Sequence, residues 1–202
     1  MNVLIGCERS GMVKDAFRAL GHEAYSCDIL DAESNSNYHI KDDVLNHLND
    51  GWDLAGFHPN CQNLAVSGAR YFSQKKDIQE RDLEFVRTLL DANITKIYLE
   101  NPVGIISTRI RKPDQIIQPW QFGEDASKTT CLWLKGLPKL IPTKIIQKER
   151  YANQTPSGQN KLGPSKERAY LRARTYPRIA KSMAEQWGNL VLSYACSEMS
   201  AE

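Results

Sequence analysis

Paired cysteines are missing from this chain. Its five cysteines, Cys7, Cys27, Cys61, Cys131 and Cys196, are odd in number, widely scattered and never spaced as C-x-x-C, which excludes a disulfide framework and a zinc knuckle. Histidine is scarce too: His22, His39, His47 and His58 lack the close helical pairing of a metal site, so no metal is expected. No apolar run approaches the ~20 residues that span a bilayer, so no membrane partner is expected. The opening MNVLIGCERSG enters an apolar strand at once, without the basic region, long apolar segment and cleavage site of a secretion signal. A cytoplasmic location is the expectation. Charge of either sign is nearly balanced, with a formal net charge of +2.

That balance is uneven along the chain. From Lys144 to Lys181 the cations Lys144, Lys148, Arg150, Lys161, Lys166, Arg168, Arg172, Arg174, Arg178 and Lys181 face only Glu149 and Glu167. A basic C-terminal third suits a phosphate backbone as well as it suits a solvated surface. The 202 residues suit one compact domain, 1–202, with a basic, loop-rich segment at about 141–175.

Apolar runs bounded by turn residues alternate with amphipathic stretches, the pattern of an α/β fold with a mostly parallel sheet and helices on both faces. NVLIGC, EAYSCDI, the stretch from Trp52 to Phe57, KIYLE and CLWL read as strands. YHIKDDVLNHL reads as an extended segment entering a helix near Asp43. Helices are expected from Met12 to Leu20, with Val13, Phe17 and Leu20 on one face, from Asp77 to Asn93, with Ile78, Leu83, Val86, Leu89 and Leu90 as its apolar stripe, and from Arg178 to Tyr194.

In such a sheet, ligands sit beyond the carboxyl ends of the strands. The first strand runs into GCERSG, where Gly6 and Gly11 flank Cys7, Glu8 and Ser10. An ordinary tight turn and a nucleoside-binding turn both fit that stretch. Asp28 follows at the roughly 20-residue spacing at which an acid meets a ribose hydroxyl. Asp43 serves either a base contact or a helix N-cap. Glu100, ending an apolar strand before Asn101-Pro102, is a candidate acid, because a carboxylate there must be paired, hydrogen-bonded or protonated. Cys61, in HPNCQNLAVSG, reads either as a small buried hydrophobe or as a nucleophile held on a loop.

The stretches VLIGCERSG, CDIL, DDV, DLAGFHPNCQNLAVSG, YLENPVG and RARTYPRIAKSMAEQWGNLV, taken in order, resemble the DNA cytosine-5 methyltransferases. The resemblance is nearest to short phage-encoded proteins of that family, where it extends to KPDQIIQPWQFG and TCLWLKGLP. It implies a Rossmann-like S-adenosylmethionine-dependent methyltransferase fold without a large target-recognition domain. It also implies methylation of cytosine C5 in DNA, with weak sequence discrimination and a phage use in DNA modification and restriction evasion. The family's Pro-Pro-Cys-Gln loop carries the cysteine that attacks C6, and Cys61-Gln62 falls there. Its Glu-Asn-Val motif holds cytosine N3, and Glu100-Asn101 falls there. By the same likeness Gly6, Cys7, Glu8, Ser10, Gly11, Asp28 and Asp43 line the cofactor site. Gln186, Gly188 and Asn189 match the late Gln-x-Gly-Asn motif, and Asn189 joins that cofactor set. His58, Asn60, Gln62, Ser67, Arg172 and Arg174 face the DNA, whether a duplex with a flipped base or a single strand.

Two departures matter. Asn60 replaces the loop's second proline, removing a fixed φ from the segment that aims the thiol. The polar stretch from about Ile141 to Lys166 is all that stands where the larger enzymes insert a recognition domain, and Arg109 and Arg111 stand in for the family's arginine motif. The loss of proline motivates one alternative, a catalytically impaired protein of the same fold that binds nucleic acid or a host or phage protein such as a defence component. The short recognition segment motivates another, pyrimidine modification in a nucleotide or RNA.

Overall fold

The computed structural model describes residues 1–67, 74–163, 165 and 167–190. Gly68, Lys166, Cys196 and the expected helical stretch from 191 to Tyr194 lie outside the described residues. The chain gathers into two compact units. The first comprises Met1–Gly11, Glu23–Ile117 and Thr129–Lys139, and the second comprises Met12–His22, Gln118–Lys128 and Leu140–Glu202.

The first unit is a seven-stranded mixed sheet of β1 (Asn2–Gly6), β2 (Glu23–Asp28), β3 (His39–Lys41), β4 (Leu54–Phe57), β5 (Ile97–Asn101), β6 (Gln115–Ile117) and β7 (Thr130–Lys135), in the order β3-β2-β1-β4-β5-β7-β6. The five strands β3, β2, β1, β4 and β5 pair in parallel, and β7 runs antiparallel to both β5 and β6. This is a Rossmann-like α/β architecture, with strand order reversing between β1 and β4. The sequence explains the central strands directly. LAGF in β4 and IYLEN in β5 are buried at every position, as strands covered on both faces must be.

Helix α2 (Lys76–Asp91) turns Leu83, Val86, Leu89 and Leu90 into a core shared with Leu4, Phe57, Leu99 and Trp133. Ile78, expected in that stripe, is instead exposed in the first turn of the helix. A short helix, α3 (Ile106–Arg109), follows β5. Three-residue β6 and four-residue α3 escape pattern reading, because neither completes a diagnostic repeat.

In the second unit α1 (Met12–Arg18) packs on α5 (Pro177–Gly188), burying Val13, Phe17, Ile179, Met183 and Trp187. Leu20 lies beyond the end of α1 and is exposed. Helix α4 is Arg168–Ala173. Between β7 and α4 no helix or strand forms among the described residues, yet the chain there is tied down. Asn153 takes an N–H from Ser127 at 3.0 Å and donates to the Ser127 carbonyl at 2.8 Å. Trp120 stacks on Tyr151 with centroids 6.3 Å apart. No helix of the described residues is long and apolar enough to cross a membrane.

Candidate active site

Strand register assembles the candidate residues of the first unit. Gly6 of β1 lies opposite Cys27 of β2 on one side and Phe57 of β4 on the other, and Phe57 lies opposite Leu99 of β5. One residue further along each strand come Cys7, Asp28, His58 and Glu100, in a row across the carboxyl edge. The His58 N–H donates to the Gly6 carbonyl at 3.0 Å, and the Asp42 N–H donates to the Asp28 carbonyl at 3.1 Å, which extends the row to the Asp42-Asp43 turn. The reversal of strand order between β1 and β4 sits inside this row, where ligand crevices form in open α/β sheets.

The Cys61 loop is fixed more firmly than its composition implies. Asn101 is buried, and its Nδ2 donates to the Pro59 carbonyl at 2.9 Å. Asn60 Oδ1 accepts the Gln62 N–H at 2.9 Å. This Asx turn does with a side-chain acceptor what a proline would do with a ring. The Cys61 carbonyl then accepts from Leu64 and Ala65 at 3.1 and 2.9 Å. Beyond it, Val66 donates to the Val103 carbonyl and Ile105 to the Leu64 carbonyl, around an Ala65–Gly104 bridge. A Cβ at Gly104 would lie 2.2 Å from the Leu64 carbonyl oxygen, so only glycine lets the strands approach there. The half-buried Cys61 therefore stands on a loop stitched to the segment that carries Glu100-Asn101. Gln62 and Ser67 are exposed.

Behind the loop lies a buried polar chain. His58 Nδ1 shares a hydrogen bond with Glu100 Oε2 at 3.0 Å, and His58 Nε2 shares another with Tyr98 Oη at 3.0 Å. Both the His58 and the Glu100 side chain are only 9% exposed. Tyr98 is completely buried, and burial first, then the charges of Glu8 and Glu100, hold its phenol proton far more tightly than usual. Its ring fits because Gly56 sits opposite in β4, where a Cβ would come within 2.2 Å of it. Sequence reasoning passed over Tyr98 and Gly56. The signals were present: Tyr98 lies two residues before Glu100 and so on its face of the strand, and a strand-interior glycine marks a close approach.

At the β1–β3 end, Cys7 holds a left-handed φ of 59°, which costs a residue other than glycine roughly 1–2 kcal/mol and marks a turn kept for a reason beyond chain reversal. Burial first, then the nearby Asp28, Cys27 and Asp43, push the Cys7 thiol far up. Glu8 is buried and accepts from Ser10 Oγ at 3.2 Å. Gly11 has a φ of 70° that suits glycine. Gly6 answers to packing, since a Cβ there would press on Val44 and Phe57 at 2.6 and 2.8 Å. Asp28 Oδ1 accepts the Leu30 N–H at 2.9 Å. Asp43 is the N-cap of the 3₁₀ turn Val44–His47, accepting from Leu45 at 3.0 Å.

Apart from Arg109 and Arg111 of the first unit, the remaining candidates belong to the second unit. Arg172 is an exposed residue of α4. The Arg174 guanidinium lies over the Tyr170 ring, 4.9 Å from its centroid, while Arg168 is taken up by the Leu162 carbonyl. Lys148 pairs with Asp125 at 2.5 Å, so part of the basic run is neutralised within its own unit. Asn189 caps the end of α5, with Nδ2 donating to the Glu185 carbonyl at 2.9 Å. Gln186 uses both ends of its amide on the Ile141 backbone, at 2.8 and 2.9 Å. Of the arginine stand-ins, Arg109 pairs with Glu80 and Arg111 with Asp114. Among the described residues no cluster of three or more His, Cys, Asp or Glu side chains could hold a metal.

No protein-family model and no curated protein matches the chain. Among solved structures it is similar to a candidate DNA modification methyltransferase encoded within an E. coli prophage, at 15% identity and a TM-score of 0.47, over 72% of this chain and 52% of that one. The chain thus spans about half the length of that protein, and a likeness this slight has no bearing on activity.

Proposed function

We propose that this protein transfers a methyl group from S-adenosylmethionine to C5 of cytosine in DNA. The observation that carries the reading is the joining of two motifs by strand register: Asn101 holds the Pro59 carbonyl, so the thiol loop and the Glu100 strand end form one rigid piece. A cysteine loop tied to the strand end that carries a carboxyl group suits conjugate addition to a pyrimidine.

Cytosine C5 is a poor nucleophile until something adds at C6. In the proposed reaction the Cys61 thiolate bonds to C6 while Glu100 holds N3 and supplies it a proton. The C5=C6 electron pair then makes C5 an enamine carbon that takes the methyl group. Loss of the C5 proton to a base returns the pair, and the C6–S bond breaks. The target base is flipped from a duplex or offered by a single strand.

The methyl donor fits the other half of the row. Asp28 stands where an acid meets a ribose diol, and Asp28 and Asp43 both bear on Cys7, giving a negative potential suited to a sulfonium cation. Asn60 favours an enzyme over an impaired relative, because its Asx turn restrains the loop that a second proline would otherwise stiffen. Incubation with methyl-labelled S-adenosylmethionine and cytosine-containing duplex or single-stranded DNA should place label at C5, and Cys61→Ser should abolish it. Label confined to RNA or to free dCMP would move the activity to those substrates, and no transfer to any of them would overturn the reading.

A further inference from the structure

Glu100 would meet N3 as a proton donor, yet an unperturbed glutamic acid, with a pKa of about 4.3, is protonated in only about one molecule in a thousand near pH 7.5. Something must keep a proton at hand. The Pro-Pro-Cys-Gln motif begins at Pro59, the residue after His58, so the family likeness sets His58 among the DNA-facing residues and assigns it no part in the chemistry. The structure places its ring between Glu100 and Tyr98, with both nitrogens engaged at 3.0 Å. We propose that His58 is a positioning residue that shares one proton with Glu100 and so delivers Glu100 to the pyrimidine as an acid.

The geometry supports both forms of the shared-proton pair. As imidazolium and carboxylate, Nδ1–H donates to Glu100 Oε2. As imidazole and carboxylic acid, Oε2–H donates to Nδ1. In either form Nε2–H donates to the Tyr98 oxygen. When the Oε2–H turns from Nδ1 to N3 and gives up its proton, Nε2–H still donates to the Tyr98 oxygen and Nδ1 faces the carboxylate without a proton, which draws the proton back. The tightly held phenol proton of Tyr98 keeps that residue a hydroxyl in every form. The other titratable groups near the chain are Glu8, whose charge bears on Tyr98, and Cys131 of β7, whose thiol feels Glu100. Cys61 is on the same loop as His58. Two buried carboxylates around one tyrosine and one histidine favour retention of a proton.

The proposal rests on the cytosine reading of this site, and its protons balance. When the Cys61 sulfur bonds to C6, the C5=C6 pair shifts to C4–C5 and the C4=N3 pair to N3, which takes the proton from Glu100. After methylation and loss of the C5 proton, the C6–S bond breaks, the thiolate leaves and the N3 proton returns to the Glu100–His58 pair. The proton is lent and recovered within each turnover.

The test is the pH dependence of single-turnover methyl transfer to a cytosine oligonucleotide for wild type and His58→Gln, which can hydrogen-bond but cannot titrate, together with NMR titration of the His58 ring in the free wild type and in Glu100→Gln. The expected results are a wild-type rate that rises with pH as the Cys61 thiol ionises while Glu100 keeps its proton, a His58→Gln rate that stays flat over the same range because ionisation of Glu100 offsets ionisation of Cys61, and a His58 ring titration that changes in Glu100→Gln. Parallel pH profiles, or a His58 titration indifferent to Glu100→Gln, would overturn the shared proton while leaving the methyltransferase reading in place. A wild type inert on DNA, RNA and dCMP at every pH would overturn that reading and the catalytic use of the proton together, and the NMR titration would still decide whether the pair shares one.

Discussion

Asn101→Ala separates what the Asn101 amide does for stability from what it does for the loop. Its Nδ2 donates to the Pro59 carbonyl at 2.9 Å in a buried setting, while its Oδ1 is buried and meets no donor among the described residues. Removing the donor strands a carbonyl, at a cost of roughly 1–3 kcal/mol, and removing the unmet Oδ1 returns roughly 1–2 kcal/mol. The two nearly cancel, so the net loss should be about 1 kcal/mol, a drop in Tm of about 2–4 °C for a chain of this size. The loop loses its tether at the same time, and a nucleophile displaced by about 1 Å loses on the order of 100-fold in rate. Calorimetry and single-turnover methyl transfer on the same variant should therefore show a slightly destabilised, severely slowed protein. An Asn101→Ala protein that keeps its rate, or one whose Tm falls by more than about 8 °C, would refute this division of labour.

Other perturbations test other parts of the site. Gly56→Ala places a methyl within 2.2 Å of the Tyr98 ring; overpacking of this kind costs about 1–3 kcal/mol, readable as a lower denaturant midpoint, and an unchanged midpoint would show that the ring moves freely. Mass spectrometry of peptides after alkylation near pH 8 should find Cys61 modified well before Cys27, whose thiol is pushed up to about 12 by burial and the neighbouring Asp42 and Asp28; equal rates would remove the case for a presented thiol. His47 bonds Asp50 and Asp42, and its pKa is raised from 6.5, chiefly by the Asp50 bond. Because the native state binds this proton more tightly, the stabilisation is fully present below about pH 6.5 and is lost as pH rises through the raised value. His47→Gln should thus lower stability at pH 6 more than at pH 9, and an equal loss at both would rule out the charge pair as the cause.

The central sheet was legible because its strands are continuous apolar runs closed by turn residues. NVLIG, EAYSCD and IYLEN announce β1, β2 and β5 to within two residues, and Asp43 was weighed as an N-cap, which it is. The motif residues were legible by spacing and by family likeness. What escaped were relations across strands. Nothing local in the sequence says that Tyr98 reaches over Gly56, or that His58 meets Glu100 across 42 positions. Those follow from the β4–β5 register, which is fixed by folding rather than by either segment alone. Asn60 shows the opposite lesson. Its side chain reads as the loss of a proline, and only the bond to the Gln62 N–H shows the restraint restored.

The most direct test of the central claim replaces the C5 hydrogen of the target with fluorine, which blocks the final proton loss and leaves the C6–S bond in place. Wild type mixed with S-adenosylmethionine and an oligonucleotide containing 5-fluorocytosine should form a denaturation-resistant protein–DNA adduct that maps to the Cys61 peptide and is absent from Cys61→Ser. An adduct mapped to another residue, or active methyl transfer without any adduct, would contradict Cys61 as the nucleophile.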